Sequence, residues 1–382
     1  MRRDLFDADH EAYRSSIRAF LEAKVVPHYD EWRSAGIVPR ELFTDLGALG
    51  ALGWGVPEEF GGAGVDDFRY NLILAEEAAR LHVSPALLGP GLVVDIVMPY
   101  LVGLGTPEQQ ARWLPDVVAG RTITAVAMTE PGTGSDLAGI STRAVLEGDE
   151  WVLNGAKTFI TNGINADLVV VAARTGEGRH DGLSLFVVER GMAGFERGRQ
   201  LHKVGLHAQD TAELSFTDVR MPSANLLGRV GDGFAGLTRN LAQERLSAAA
   251  GAVAGAEAAL ALTVEHVRSR KAFGAPLGAL QNTRFVLAEL ATEMDIARVY
   301  VDRCVRAHAD GELTHVDAAK AKWWTTELHG RVVDAGLQLH GGYGYMDEYP
   351  IARAWTDARV QRIYAGANEV MKDLIGKSMK LA

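Results

Sequence analysis

The hydrophobic pattern of this chain changes period twice, and that change limits its fold more than any other feature. From about Asp9 to Ala119 apolar residues recur at helical spacing, as in Ala12, Tyr13, Ile17, Phe20 and Leu21, with charged residues between them. Between roughly Thr122 and Pro222 short runs take over. Residues 169–173, 184–188 and 213–216 include β-branched or aromatic residues and are bounded by Gly, Asp and Asn, the marks of strands. Helical periodicity then returns in three long spans, 233–270, 282–309 and 317–339. Helices, strands and helices again imply an α+β subunit with a central β domain. The expected divisions are 1–121, 122–228 and 229–382.

Local punctuation fits this plan. Residues 53–64 carry too much glycine for a helix, Asp66 is expected to cap a helix through Arg80, and Thr106-Pro107-Glu108-Gln109 reads as a helix start. A formal net charge of −10 argues against a general nucleic-acid binder, because phosphate neutralisation needs clustered Lys and Arg. The one cysteine, Cys304, has no internal partner for a disulfide, which fits a reducing compartment. No CxxC, HExxH or Cys/His cluster supports a metal site. The first residues lack the apolar core of a leader and carry early acids, so a cytoplasmic protein is expected. No membrane-spanning run is expected either.

Several segments could carry chemistry. Met128-Thr129-Glu130-Pro131-Gly132-Thr133-Gly134-Ser135-Asp136 is a strand end entering a glycine-rich turn, which exposes backbone N–H groups to a planar ligand. An ordinary loop is an equal reading. Ser269-Arg270-Lys271-Ala272-Phe273-Gly274 ends a long helix in a basic pair. That pair is either a solvated helix end or a pyrophosphate clamp. Glu244 lies seven residues after Leu237, three after Leu241 and four before Ala248, and so on one small, apolar helix face. A lone carboxylate there is costly unless it is paired, for instance with Arg245, or functional.

These segments, with Leu339-His340-Gly341-Gly342-Tyr343-Gly344-Tyr345 and the run 359–369, resemble the acyl-CoA dehydrogenase family of flavoenzymes in one colinear order from Asp4 to Met379. The resemblance implies an N-terminal helical domain, a β-barrel-like middle domain and a C-terminal four-helix bundle. It implies FAD as cofactor, with Val126 to Ser135 lining it, among them Met128, Thr129 and Gly134, and Ser135 also near the pantetheine of the substrate. Phe159, Ile160 and Thr161 would flank the flavin, with Phe159 where many relatives carry tryptophan. Arg270, Phe273 and Gln281 would contact FAD across a subunit interface. Gln338, Leu339, Gly341 and Gly342 would hold the adenine-nucleotide part, and Ala367 and Glu369 fall at further cofactor positions. Tyr343, Gly344, Tyr364 and Gly366 would border the substrate, together with Arg245.

The family's usual catalytic glutamate falls at Ala365 here. The long-chain and isovaleryl branches instead place that glutamate immediately before an Arg-Leu pair, which in this chain is Glu244. By that resemblance Glu244 is the base, Arg245 supports it, and the backbone N–H of Ala365 still polarises the thioester carbonyl. The implied reaction forms a trans-2-enoyl thioester from an acyl-CoA and passes electrons to an electron-transfer flavoprotein. Alternatives are the same chemistry on an acyl carrier protein thioester, an oxidase variant, or a flavin-binding relative that is not a dehydrogenase. A homotetramer is the family expectation.

Overall fold

The structure, a computed structural model, describes residues 3–380. Seven helices come first: α1 (Ala8–Phe20), α2 (Tyr29–Ala35), α3 (Glu41–Ala48), α4 (Phe68–Arg80), α5 (Ser84–Leu92), α6 (Met98–Leu104) and α7 (Pro107–Val118). Their caps follow from short polar side chains. Asp7 and His10 form a capping box on α1, and at the foreseen start of α7 Thr106 and Gln109 form another. The cap of α4 is Asp67 rather than Asp66, because the Asp67 carboxylate is the one that accepts the Arg69 N–H at 2.9 Å.

Two five-residue π turns, Leu21–Val25 and Val93–Val97, interrupt this region and were not foreseen. An inserted residue leaves hydrophobic spacing almost unchanged locally while turning everything after it by about 100°.

Eight strands follow: β1 (Thr124–Ala127), β2 (Arg143–Glu147), β3 (Glu150–Thr161), β4 (Leu168–Arg174), β5 (Leu183–Glu189), β6 (Phe195–Gln200), β7 (Thr211–Pro222) and β8 (Leu226–Leu227). Their order is β6-β7-β3-β2-β4-β5-β8, with β1 parallel to β4. Among the described residues β2 and β4 share one backbone pair, Arg143 with Arg174, so the two halves of the sheet are joined narrowly there. Alternation along β4 then serves two cores. Val170 and Ala172 face the N-terminal helices, whereas Val169, Val171 and Ala173 face the interior formed with β3 and β7.

The last third is helical. It comprises α8 (Gly233–Arg239), α9 (Leu241–Ser269), α10 (Gln281–Ala309), α11 (His315–His340), α12 (Pro350–Ala358) and α13 (Asn368–Ser378), with a tight hairpin of β9 (Lys271–Ala272) and β10 (Ala275–Pro276) after α9. α9 and α11 approach closely through small residues. A Cβ on Gly255 would lie 2.5 Å from His329 Cε1, and one on Gly336 would lie 2.6 Å from Thr263 Oγ1.

The expectation that no apolar run could span a membrane needs correction. Ser84–Leu104 and Gly233–Ser269 are long and apolar enough, and 50% and 44% of their most apolar windows are buried inside the fold. Their apolarity comes from packing on two sides, α9 being the central helix of the bundle.

The N-terminal helices are tied to the bundle by charge. Arg3 bridges Glu76 at 2.7 Å and Asp302 at 2.7 Å, and Arg298 reaches Glu76 at 3.0 Å. Next to it, buried Glu77 accepts from Arg14, Arg18 and Arg80 at 3.1, 2.8 and 3.0 Å. Burial alone would raise its carboxyl, but these guanidiniums outweigh burial and pull it from 4.5 to about 2. The folded value lies below the unfolded one, so the stabilisation is complete above about pH 4.5 and fades as pH falls toward 2. Glu77→Gln should therefore lower stability by about 3 kcal/mol at pH 7. In thermal melts the gap from the parent should shrink below pH 4.5; a gap that stays constant down to pH 3 would show that the ion pairs are not its source.

Candidate active site

Glu244 stands in the first turn of α9, with 4% of its surface exposed. Its Oε1 accepts the Tyr100 hydroxyl at 2.6 Å, and no described residue donates to Oε2. Desolvation pushes its carboxyl up to about 6, against the hydrogen bond from Tyr100 and the charge of Arg245, which both pull down. Arg245 is itself buried, and its Nε has no hydrogen-bond partner among the described residues. A buried, unpartnered guanidinium N–H beside a raised carboxylate is a group left to donate to a ligand.

The turn at Ala365 is brought to the same region. Ala365 and Gly366 both have left-handed backbones, at φ +50° and +89°, and alanine adopts that conformation only when neighbours hold it. Lys322, fully buried on α11, provides the hold: its Nζ donates to the Gly366 carbonyl at 2.6 Å and to Asn368 Oδ1 at 2.9 Å. Asn368 in turn donates to Thr326 and Glu327 at 3.0 and 2.9 Å. Burial, then the charge of Arg245, pushes the Lys322 amine down to about 8, against the pull of Glu369 and Glu327. Ala367 forms the N-cap of α13 and Glu369 lies in its first turn. Tyr364 is pushed up to about 12 by burial.

The glycine-rich loop after β1 is pinned from beneath. The Glu130 carboxylate accepts from the Ser141 N–H, the Ser141 hydroxyl and the Thr142 N–H at 2.8, 2.6 and 2.9 Å, and pairs with Lys157 at 2.9 Å. Lys157 also donates to the Met128 carbonyl at 3.0 Å, and the Thr158 N–H donates to the Thr129 carbonyl at 2.9 Å. Above this base, a Cβ on Gly132 or Gly134 would meet nothing within 4 Å, and Ser135 is exposed. The β3–β7 register breaks between Lys157 and Ile160, and there Phe159 takes φ +60° and leaves 68% of its surface exposed. An uncovered aromatic face beside an open glycine cradle fits a planar flavin ring, so the residues present suit the cofactor. Val126, Met128, Thr129 and Thr161 are half-buried at this edge. Ile160 points into the sheet core at 2% exposure, so only its backbone faces the ring site.

The remaining expected residues form a second cluster. Arg270 lies 5.4 Å from the Tyr343 ring, and His266 stacks on His340 at 4.0 Å. Gln338, Leu339, Gly341 and Gly342 sit at the same end of α11, and Gln281 opens α10 nearby. Arg270 has no ion pair among the described residues, and Phe273, at φ +52°, is 95% exposed at the tip of its hairpin. Arg270 follows Glu244 by 26 residues along α9, a separation of roughly 39 Å. This cluster therefore does not join Glu244 within one chain. Tyr343 and Gly344, expected at the acyl pocket, belong to this cluster and lie away from Glu244 of the same chain. Gly341 at φ +62° ends α11 and turns the chain back over Arg270.

Sequence reasoning missed Tyr100, Lys322, Asn368 and the Glu130–Lys157 pair. Their local sequence names no partner for any of them.

Family models match in order along the chain: the acyl-CoA dehydrogenase N-terminal domain over residues 7–121, the middle domain over 125–219 and the C-terminal domain over 231–380. The mitochondrial long-chain specific acyl-CoA dehydrogenase of Sus scrofa is 46% identical over 380 residues, 99% of this chain and 88% of that protein. The crystal structure of an acyl-CoA dehydrogenase from Geobacillus kaustophilus superposes with a TM-score of 0.96 at 48% identity, over 98% of this chain and 99% of that one. A glutaryl-CoA dehydrogenase of Mycobacterium smegmatis in complex with FADH2 superposes at 0.90 with 28% identity, over 98% and 95% of the two chains.

Lys322→Met removes the tie on the Ala365–Gly366 turn. Hydrogen exchange of amides 364–368 should accelerate at least about tenfold, with the middle of α9 unchanged. Unaltered exchange would mean that the turn holds itself.

Proposed function

The chain belongs to the acyl-CoA dehydrogenase family, FAD-dependent oxidoreductases acting on acyl-CoA, and from that premise we propose that Glu244 is the base that removes the substrate's α-proton. The observation that carries this reading is the burial of Glu244 beside a free Arg245 N–H, on a helix start that converges with the Ala365 turn. FAD, when bound, supplies the acceptor for the β-hydride at N5.

The chain's own residues do the rest. Oε2 of Glu244 takes the proton, and its dry surroundings keep the carboxylate basic. The Ala365 N–H, fixed by Lys322, is placed to donate to the thioester oxygen as negative charge develops there. That backbone donor needs no side chain, which is why alanine suffices at a position where relatives of other branches carry glutamate. Gly132 to Ser135 leave room for the flavin and the thioester arm, and Phe159 covers the ring face. The product is the trans-2-enoyl thioester, and an electron-transfer flavoprotein is the proposed acceptor.

The separation along α9 supports a homo-oligomer, a tetramer by family resemblance. In it the Arg270–Phe273–Gln281 cluster of one subunit completes the cofactor site of another. The apolar side chains of Phe285, Ile296 and Val299 on α10, each more than half exposed, agree with such a surface.

Glu244→Gln should slow anaerobic flavin reduction by acyl-CoA at least about a thousandfold while leaving FAD bound. Because the folded carboxyl sits at about 6, the parent's rate should rise through pH 6 and level off above it. Full reduction by the variant would sink the assignment. Phe273→Asp should lower FAD content and subunit association together, read by absorbance and light scattering. Retention of FAD by a dissociated subunit would rule out the shared site.

A further inference from the structure

Tyr100 lies on α6, fully buried, with its hydroxyl between two acceptors: Glu244 Oε1 at 2.6 Å and the Leu237 carbonyl at 3.4 Å. A phenol has one proton to give, and the short contact to the carboxylate takes it. We propose that Tyr100 is the positioning residue of the base: it grips Glu244 by Oε1, aims the free Oε2 at the substrate, and keeps the carboxylate ionised. This rests on the reading of Glu244 as the base.

The fold fixes that grip. The π turn Val93–Val97 directly precedes α6, and its extra residue rotates α6 by about 100° relative to an uninterrupted helix. The turn is then bolted to α9 on both sides of Glu244. Gln243 Nε2 donates to the Asp95 carbonyl at 2.8 Å, and the Ser247 hydroxyl donates to the Asp95 carboxylate. Asn71 of α4 supplies the other donor to that carboxylate at 2.7 Å. Met98 and Val102 thereby face a cavity shared with Gln243, while Tyr100 turns toward Glu244.

Other titratable groups surround the first turn of α9 without hydrogen-bonding Glu244. They are Arg245 on α9 itself, Asp95 in the π turn, His308 on α10, which meets Gln243 at 3.0 Å, and His315 and Lys322 on α11. Arg245 acts on it through charge, whereas Tyr100 acts through a directed hydrogen bond. A carboxylate with one oxygen held has a defined free oxygen. One held by nothing rotates, and spends less time aimed at the α-carbon.

The test uses the FAD-loaded enzyme and anaerobic stopped-flow reduction by a saturated acyl-CoA across pH 5–9. Tyr100→Phe removes the donor and keeps the ring. The limiting rate at pH 7 should fall about tenfold, and the rising limb should move up by about one pH unit or more. Affinity for the enoyl-CoA product should change less than about twofold, since the ring and the pocket walls stay. 3-Fluorotyrosine at position 100, a stronger donor of nearly the same shape, should move the limb down, and it decides the matter if the phenylalanine variant loses FAD.

An unshifted limb in the fluorinated enzyme, or parental rate and limb in Tyr100→Phe, overturns the proposal. Glu244→Gln, measured alongside, separates the two claims. If it is inactive while Tyr100→Phe behaves as the parent, only the role of Tyr100 falls. If it still reduces flavin, the base assignment itself falls.

Discussion

Taking the Glu244 carboxylate out of water is the cost around which this molecule is arranged. An isolated buried carboxylate would simply take up a proton, and so would be useless as a base at neutral pH. Here the loss of hydration is offset in part, by one short hydrogen bond from Tyr100 and by the charge of Arg245, so that the group settles at about 6. That value keeps it ionised in neutral solution while leaving it more basic than an exposed glutamate. Both helpers come from elements whose position is itself fixed by burial: α6 by the π turn clamped to α9, and Arg245 by the α9 turn beside the Lys322-held loop.

A second consequence is the division of labour between side chain and backbone. In the proposed site Glu244 on α9 would contribute a side chain, and Ala365, held in a left-handed turn, only its main-chain N–H. A main-chain donor is indifferent to the residue that carries it, provided that the turn survives. Lys322, reaching through the interior to the Gly366 carbonyl, is what makes the turn independent of the side chain at position 365. Similarly, the Glu130–Lys157 pair fixes the glycine loop from below, so that its upper surface can stay open without collapsing. In both places a buried charge holds a backbone segment rather than touching a ligand.

Much of this was legible in the sequence, for definable reasons. The change of hydrophobic period marked the three blocks, since helices and sheets bury residues at different spacings. Thr106 and Gln109 announced their cap because a capping box is a local interaction. Glu244 drew notice as a carboxylate on a small apolar face, where pairing with Arg245 was an open reading, and the resemblance to the long-chain and isovaleryl branches selected it as the base. The cap of α4 missed by one residue because two adjacent aspartates compete, and only geometry decides. The π turns were invisible, as one inserted residue barely disturbs a local pattern. Tyr100 gave no signal at all: a tyrosine among apolar residues reads as core, and its partner is 144 positions away. Tyr343 and Gly344 fall at the Arg270 end of the bundle, which a motif does not reveal because it fixes neighbours in sequence and not their place in the fold. Phe159 and Phe273 were chosen by resemblance, and their exposure and left-handed backbones are what give that choice a physical meaning.

The central claim is that Glu244 handles the α-proton while Ala365 provides only a backbone donor. Deuterium wash-in tests it most directly, because exchange at the α-carbon of a bound thioester that cannot lose a β-hydride reports the base alone. In heavy water, mass spectrometry of a 3-thia-acyl-CoA should show deuterium gain with the parent enzyme and with Ala365→Gly, and none above background with Glu244→Gln. Parental exchange in Glu244→Gln would contradict the account and place the base on another residue.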